Sequence, residues 1–445
     1  MNTKKFGLIG NPLGHSLSPL IHRRIMEISG IDGSYEMHDI PATELPHLIP
    51  RLMNELDGFN CTIPHKTALL HYMGSLDESA RLCGAVNTVF RNRGYNTDTE
   101  GFKSAGIDLR GKNVLLLGAG GSAHMMAAVC LEAGAESIEI NARSPESAAK
   151  LSAHLSATFP KAATRVTTSS GAPATTSADV ILNATPLGMW PKVYGLPCDP
   201  DILTPGAVVF DPVYNPTPSR LVLNARKRGV RAIGGLRMLL RQGIEAQRIW
   251  NPGLAFDIAA IEAEVLPEML RELYKSFPIK ILLTGFMGSG KSTVGKLLAN
   301  KLGIAFADID VEIERLARRH IPEIFAERGE QGFRKLETAV AESALRRGGS
   351  AVLAAGGGFP CREENRNLVR ETNTLVLHLD APFEILWSRI SHDTSRPLAR
   401  ERGQTEELYN TRASLYSDFC DYVFDASLPP TELAETIARL TTDME

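Results

Sequence analysis

No stretch of this 445-residue chain is apolar for long enough to span a bilayer. Apolar runs such as Val114–Gly118 are strand-length, against the roughly 20 residues that a membrane helix needs. Cysteine is sparse: Cys61, Cys83, Cys130, Cys198, Cys361 and Cys420 are scattered, without a CxxC pair or the density of a secreted disulfide framework. They are expected to be reduced thiols of a cytoplasmic protein. Met1–Lys5 leads straight into the apolar Phe6–Gly10, without the longer apolar region and cleavage site of a signal peptide, which argues against export. A one-signed charge is missing as well. The net charge is −3, about +1 over residues 1–278 and about −4 over the rest, so neither half has the basic excess of a nucleic-acid binder. There is no internal repeat, and only Ala162–Ser177, rich in Ala, Thr and Ser, approaches low complexity; it reads as a surface strand and loop.

What is present is a globular composition, 43% hydrophobic and 22% charged, in a chain too long for one core; its length suggests about two to four domains. Apolar β-rich runs alternate with helical patterns, which predicts α/β architecture with parallel sheets covered by helices. Lys5–Gly10 reads as a strand, and Ser18-Pro19 as an N-cap and first-turn proline of a helix ending at Gly30. Val114–Leu117, a glycine turn, a helix ending near Gly134 and Ser137–Ile140 make one βαβ unit. A new domain starts at Ile279, where a strand to Thr284 runs into another glycine loop and a helix from about Ser292. The helical pattern Ala255–Tyr274 leaves only Lys275–Pro278 as linker.

Two loops carry chemistry by themselves. Gly118-Ala119-Gly120-Gly121-Ser122-Ala123 fits G-x-G-x-x-A between a strand and a helix, where bare backbone approaches a pyrophosphate. The next strand ends Asn141-Ala142-Arg143-Ser144, without the carboxylate that holds an NAD ribose. Arg143 and Ser144 donate instead to a 2′-phosphate, so the reading is NADP; Glu139 is near the expected spacing but is read as a solvated strand residue. The second loop, Gly285-Phe286-Met287-Gly288-Ser289-Gly290-Lys291-Ser292, is a complete G-x-x-x-x-G-K-[ST]. Its N–H groups, with Gly288, Ser289, Gly290 and Thr293 around them, cradle phosphates; Lys291 neutralises the β and γ groups, and Ser292 ligates Mg²⁺ beside ATP.

Further polar stretches sit at strand ends, Gly10–Pro19, Asn60-Cys61-Thr62-Ile63-Pro64-His65-Lys66, Gly84-Ala85-Val86-Asn87-Thr88 and Asn96-Thr97-Asp98, and beyond them stand Asn183–Met189, Asp211–Pro216 and Gly235–Gln242. With these, residues 5–272 closely resemble shikimate dehydrogenase. The resemblance implies that Ser16 and Ser18 hold the substrate carboxylate, that Asn60, Thr62, Asn87, Tyr214 and Gln242 complete the substrate site, and that Thr185, Met189 and Gly235 join the cofactor site. It makes Lys66 and Asp98 the catalytic pair. Hydride arriving at a ketone carbon leaves charge on oxygen, which an ammonium stabilises and protonates while a carboxylate orients it. Two departures stand out: Ala142 replaces a common Asn and Gly234 a common Asp. From Ile279 to about Asp425, Asp308-Ile309-Asp310, Phe333-Arg334 with Glu337, Gly356-Gly357-Gly358, Arg396-Pro397-Leu398 and Arg412 with Tyr416 resemble shikimate kinase. That implies Asp310, Arg334, Arg412 and Gly356–Gly358 around shikimate, with Asp310 as orienter or base, and Asp308 near the magnesium. Arg389 and Arg396 flank a polar stretch, reaching Glu407, that reads as a lid over ATP.

The expectation is therefore a two-domain dehydrogenase with a Rossmann-type NADP-binding domain, followed by a P-loop kinase domain with a parallel sheet between helices. Its bounds are 1–103 for substrate binding, completed by helices in 238–274, then 104–237 for NADP and 279–445 for the kinase. The partners are 3-dehydroshikimate and shikimate, with no nucleic acid or membrane and the oligomeric state open. The alternatives are a quinate/shikimate dehydrogenase using NAD, fused to a kinase for a related hydroxy acid, and a chain in which one domain only regulates the other. Arg143 argues against the first; Lys66, Asp98, Lys291 and Asp310 argue against the second.

Overall fold

Strand and helix alternate along the computed structural model, which describes residues 3–14, 16–168, 178–391 and 401–442. The chain divides into two units, Met1–Glu272 and Leu273–Glu445.

The first unit holds two sheets. One orders its strands β2-β1-β3-β5-β6-β4, from β1 (Lys4–Gly10), β2 (Gly33–Asp39), β3 (Gly58–Cys61), β4 (Ser75–Leu76), β5 (Thr88–Phe90) and β6 (Arg93–Tyr95). β1 pairs in parallel with β2 and β3, whereas β5 runs antiparallel to β3 and β6. The other sheet is made of β7 (Asn113–Leu117), β8 (Ser137–Ala142), β9 (Ala163–Thr168), β10 (Val180–Asn183), β11 (Val208–Asp211) and β12 (Arg231–Gly234). Its order β12-β11-β10-β7-β8-β9 is parallel throughout and is the doubly wound 3-2-1-4-5-6 order read from the far edge. Val114, Leu115, Leu116 and Leu117 are all buried, as a central strand with helices on both faces requires. Each such side chain gains about 1.5–3 kcal/mol by leaving water. The helix Leu236–Trp250 returns to the first sheet, where Ala246 and Trp250 pack with Phe6 and Met26.

Two local expectations differ from what forms. The helix Ser18–Ile28 has Leu17 at its N-cap, so Ser18 is its first residue; the Ser16 hydroxyl accepts from the Ser18 N–H at 3.2 Å instead. Glu139 is not solvated. It is 6% exposed and accepts from the Thr167 hydroxyl at 3.0 Å, because β9 covers that end of β8.

The second unit contains β13 (Lys280–Thr284), β14 (Ala305–Asp308), β15 (Ala351–Ala354), β16 (Leu375–Asp380) and β17 (Tyr422–Asp425), ordered β14-β15-β13-β16-β17 and all parallel. The segment Lys275–Pro278 is not all linker: the helix Ile258–Ser276 runs into it. Among the described residues no helix is long and apolar enough to cross a membrane, and all six cysteines are free thiols.

Candidate active sites

In the first unit, β7 and β10 are neighbours whose following connections lead to opposite sides, the place where a doubly wound sheet opens a crevice. Gly118 leaves β7 at φ 111°, and a Cβ there would lie 2.8 Å from the Ala184 carbonyl oxygen and 3.1 Å from Cγ2 of Thr185. Only glycine passes this point. Cβ atoms built on Gly120 and Gly121 meet nothing within 4 Å, so bare backbone faces open space at the start of the helix Gly121–Glu132. That cradle fits a pyrophosphate. Ala123 is buried in the first turn, and Ser122 is exposed beside it. Thr185 is fixed by Asn183, whose Oδ1 accepts from its N–H at 2.9 Å and its hydroxyl at 2.7 Å. Asn183 is held in turn by the buried Asp211 at 2.9 Å, which also accepts from Ser219 at 2.5 Å. Met189 is 46% exposed on this loop, and Gly235 packs so closely on Pro212 that any Cβ would overlap its backbone. Arg143 and Ser144 emerge exposed just past β8. The Ser144 oxygen caps the helix Pro145–Thr158 by accepting from the Ser147 N–H at 3.2 Å, leaving its hydrogen to donate. With Glu139 turned to Thr167, no described carboxylate on β8 reaches for a ribose 2′-hydroxyl.

Lys66 follows the strand–loop segment 58–65 and Asp98 opens the helix Asp98–Lys103. The two meet with Nζ donating to Oδ2 at 2.6 Å, with side chains 30% and 20% exposed. Burial pulls the ammonium pKa down most strongly, but the Asp98 charge and hydrogen bond together outweigh it and hold the value above its ordinary 10.5. Lys66 is thus a charged proton donor. The buried thiols of Cys61 and Cys83 nearby are pushed up to about 12 and stay neutral.

The surrounding residues sort by where their polar atoms go. Ser16 and Ser18 lie hydroxyl to hydroxyl at 3.1 Å. Thr62 lies against Gly10, where a Cβ would come 2.6 Å from its Cγ2. Asn87 is 3% exposed and spends Oδ1 on the Thr97 N–H at 2.7 Å. Asn60, by contrast, is spent within the protein: Oδ1 accepts from Tyr35 at 2.9 Å and Nδ2 donates to Thr88 at 2.9 Å. Gln242 gives Nε2 to the Leu239 carbonyl at 2.8 Å and packs over Gly101, one turn into the helix that Asp98 opens. Tyr214, half-buried, has its phenol pKa raised by burial. The sequence reading missed the network behind Ser18: Tyr35 bonds Ser18 and Asn60, and His22 stacks on it with centroids 4.1 Å apart while Nδ1 meets Gln247 at 3.0 Å. Burial drops His22 to about 3, so it is neutral.

In the second unit, a cavity of about 470 Å³ lies at the ends of the strands, lined among others by Lys291, Asp310, Arg334, Glu337, Gly356–Gly358 and Arg412. Lys291 begins the helix Lys291–Leu302 and rests on the Gly285 and Phe286 carbonyls at 2.9 and 3.0 Å. The Ser292 hydroxyl donates to Asp308 Oδ2 at 2.5 Å, while Asp308 Oδ1 caps the next helix at the Asp310 N–H. Two hard oxygens side by side fit Mg²⁺, which keeps waters and phosphate oxygens in its remaining positions. Thr293 is exposed next to Ser292, and Arg389 bonds the carbonyls of Gly288 at 3.2 Å and Ala426 at 3.0 Å, beside the phosphate loop. Arg396 lies outside the described residues, with residues 392–400 of the expected lid.

Arg334 and Glu337, one turn apart on the helix Ile321–Arg346, pair at 2.9 Å. Glu337 has 0% exposure and burial raises its carboxyl pKa against the pull of Arg334. A Cβ on Gly356 would overlap Glu337, and one on Gly358 would overlap the Arg334 guanidinium, so glycine backbone is what these side chains touch. Asp310 Oδ1 comes 2.9 Å from that same Gly356 position. Glu337 stood in the sequence motif without a role; its i,i+3 spacing from Arg334 was the available signal.

Known proteins resemble the chain in two blocks. Residues 8–89 match the family model for the shikimate dehydrogenase substrate binding domain, residues 113–209 that for NADP oxidoreductase, coenzyme F420-dependent, and residues 287–442 that for shikimate kinase. The shikimate dehydrogenase (NADP(+)) of Moorella thermoacetica is 38% identical over 261 residues, 56% of this chain and 88% of the relative. That of Rubrobacter xylanophilus is 40% identical over 271 residues, 58% and 94% of the two chains. Among solved structures, a chorismate mutase/shikimate 5-dehydrogenase fusion protein from Clostridium acetobutylicum has 31% identity and a TM-score of 0.54, covering 60% of this chain and 98% of that one. Shikimate 5-dehydrogenase from Thermus thermophilus, in complex with NADP(H) and shikimate, has 32% identity and a TM-score of 0.52, covering 59% and 98%.

Proposed function

We propose, for a chain that belongs to the shikimate dehydrogenase family and whose residues 287–442 match the shikimate kinase family, that one polypeptide performs both reactions in series. It reduces 3-dehydroshikimate to shikimate with NADPH and phosphorylates shikimate to shikimate 3-phosphate with ATP. The observation that carries this reading is that each unit holds a complete set of reacting groups: the Lys66–Asp98 pair at 2.6 Å in one, and the cavity joining Lys291, Asp310, Arg334 and Arg412 in the other.

The Gly118–Ala123 loop would hold NADPH, whose chemistry would be hydride donation, with Arg143 and Ser144 toward its 2′-phosphate and Thr185, Met189 and Gly235 completing the cofactor site. Ser16 and Ser18 hold the substrate carboxylate; Thr62, Asn87, Tyr214 and Gln242 hold its ring. Asn60 shapes the pocket from behind. As the carbonyl oxygen gains charge, Lys66 delivers its proton to that oxygen, and Asp98 keeps the ammonium aimed. Lys66 is then reprotonated from water.

In the second unit, Arg334 and Arg412 bind the shikimate carboxylate as two planar forks, and the Gly356–Gly358 backbone holds the ring. Asp310 orients the attacking hydroxyl and accepts its proton as oxygen bonds the γ-phosphorus and ADP leaves. Lys291 stays on the phosphates, and Arg389 borders the nucleotide. Mg²⁺ at Ser292 and Asp308 would neutralise the β- and γ-phosphate charge. The partners in this reading are small molecules met in the cytoplasm. The test is to incubate the chain with 3-dehydroshikimate, NADPH, ATP and Mg²⁺ and identify products by mass: shikimate 3-phosphate is expected, and shikimate without phosphate would remove the kinase half.

A further inference from the structure

Gly356, Gly357 and Gly358 line the acceptor cavity without side chains, so what they offer a ligand is backbone. Where that backbone points depends on whatever holds the loop's carbonyls. The Gly357 carbonyl has two donors: Nη1 of Arg412 at 3.2 Å and the Tyr416 hydroxyl. They come from one face of the helix Arg402–Phe419, four residues apart.

The two donors are differently placed. Arg412 lines the cavity; Tyr416 does not, and is 2% exposed with its ring stacked on His378 of β16, centroids 4.9 Å apart at 13°. The phenol oxygen also meets the Arg412 guanidinium, and burial drives the phenol pKa upward, so it remains a neutral donor at any working pH. A buried tyrosine with its ring clamped and its hydroxyl on one loop carbonyl is a fixed post. Arg412 is the partner able to turn toward a ligand.

We propose that Tyr416 is a positioning residue for acceptor binding: it holds the glycine loop through the Gly357 carbonyl, so that Arg412 can give its guanidinium to the acceptor carboxylate without the loop moving. This rests on the shikimate-kinase reading of the cavity.

The experiment uses the full chain with Tyr416→Phe, which keeps the ring and its stacking on His378. Losing the phenol's hydrogen bond to the Gly357 carbonyl, with its contact to the Arg412 guanidinium, predicts roughly a three- to tenfold rise in KM and Kd for shikimate. The KM for ATP and kcat should stay within about twofold, and NADPH-dependent reduction should not change. An unaltered shikimate KM overturns the proposal, as does a parallel rise for ATP and shikimate, which would mark general loosening of the fold. Arg412→Lys in both backgrounds is the second test. Tyr416 and Arg412 share one carbonyl, so their effects on shikimate Kd must be non-additive; purely multiplicative effects overturn the shared role, and the Kd is read below the melting midpoint of every variant. Failure of the underlying reading would show separately, as an unaltered chain that transfers no phosphate to shikimate.

Discussion

Lys66 and Lys291 are the same residue asked for different things. Lys66 is tied to a carboxylate at 2.6 Å, and its pKa is held up by that partner against burial. Lys291 rests on the carbonyls of its own loop, at 2.9 and 3.0 Å. In the proposed reduction the Lys66 proton is what is transferred, so the protein would set an acidity. In the proposed phosphoryl transfer the Lys291 charge is used and its proton stays, so the protein would set a position. Accordingly Lys66 meets a carboxylate 32 residues along the chain, whereas Lys291 is held by carbonyls six and five residues before it.

The largest effects come from deleting each lysine. Lys66→Ala should lower the reduction rate by about 10²–10⁴ with little change in NADPH binding, and Lys66→Arg should fare no better, because a guanidinium does not give up its proton. Lys291→Ala should abolish phosphoryl transfer. Steady-state assays of both activities in each variant check the comparison: each loss should stay in its own reaction, and a large fall in reduction by Lys291→Ala, with folding intact by circular dichroism, would break it.

Next in size is Arg143→Ala. A lost charge-assisted hydrogen bond is worth about 1.5–3 kcal/mol, so the KM for NADPH should rise about ten- to a hundredfold while that for NADH scarcely moves. Equal changes for both cofactors would take Arg143 off the 2′-phosphate.

Both nucleotide loops were legible in the sequence because each is one contiguous strand–turn–helix segment whose glycines and periodicity are local. The parallel sheets followed from the same alternation. What was not legible depends on partners far along the chain. Asn60 looks available until Tyr35, 25 residues before it, and Thr88, 28 after it, take its amide. Glu139 looks solvated until Thr167 arrives from β9, 28 residues on. Ser18 looked like a cap because Ser-Pro encodes a helix start, but Leu17 takes the N-cap position without a side-chain cap, and the Ser18 N–H donates to Ser16, two residues earlier.

The pH profile sharpens the comparison further. Because Asp98 raises the Lys66 pKa, reduction should hold across the neutral range and fall only above the ordinary lysine value of 10.5. The sign for stability agrees: the lysine's share is complete below its unfolded pKa and is lost as pH rises through the folded one. In Asp98→Asn the carboxylate charge goes while burial remains, so the alkaline limb of kcat/KM for the residual activity should move to lower pH. A limb that stays put would mean that the titrating group is not Lys66.

The smallest effect concerns Ser144, which does two jobs with one hydroxyl. Its oxygen caps the helix Pro145–Thr158 through the Ser147 N–H at 3.2 Å, and in the proposed NADPH site its hydrogen would be left for the 2′-phosphate, where the helix N-terminus would add partial positive charge. Ser144→Ala loses both, and should cost about 0.5–2 kcal/mol of stability along with a few-fold rise in the NADPH KM. Ser144→Asp separates the jobs. Aspartate caps as well as serine, so the melting temperature should be nearly unchanged, but a second negative charge now faces the phosphate. The NADPH KM should rise more than in Ser144→Ala, while NADH should bind as well or better, since a carboxylate there accepts from a ribose 2′-hydroxyl. Melting curves and the two Michaelis constants measured together decide it. If the Asp variant loses stability like the Ala variant, the cap is misassigned; if it keeps both stability and NADPH affinity, the phosphate does not lie at this helix end.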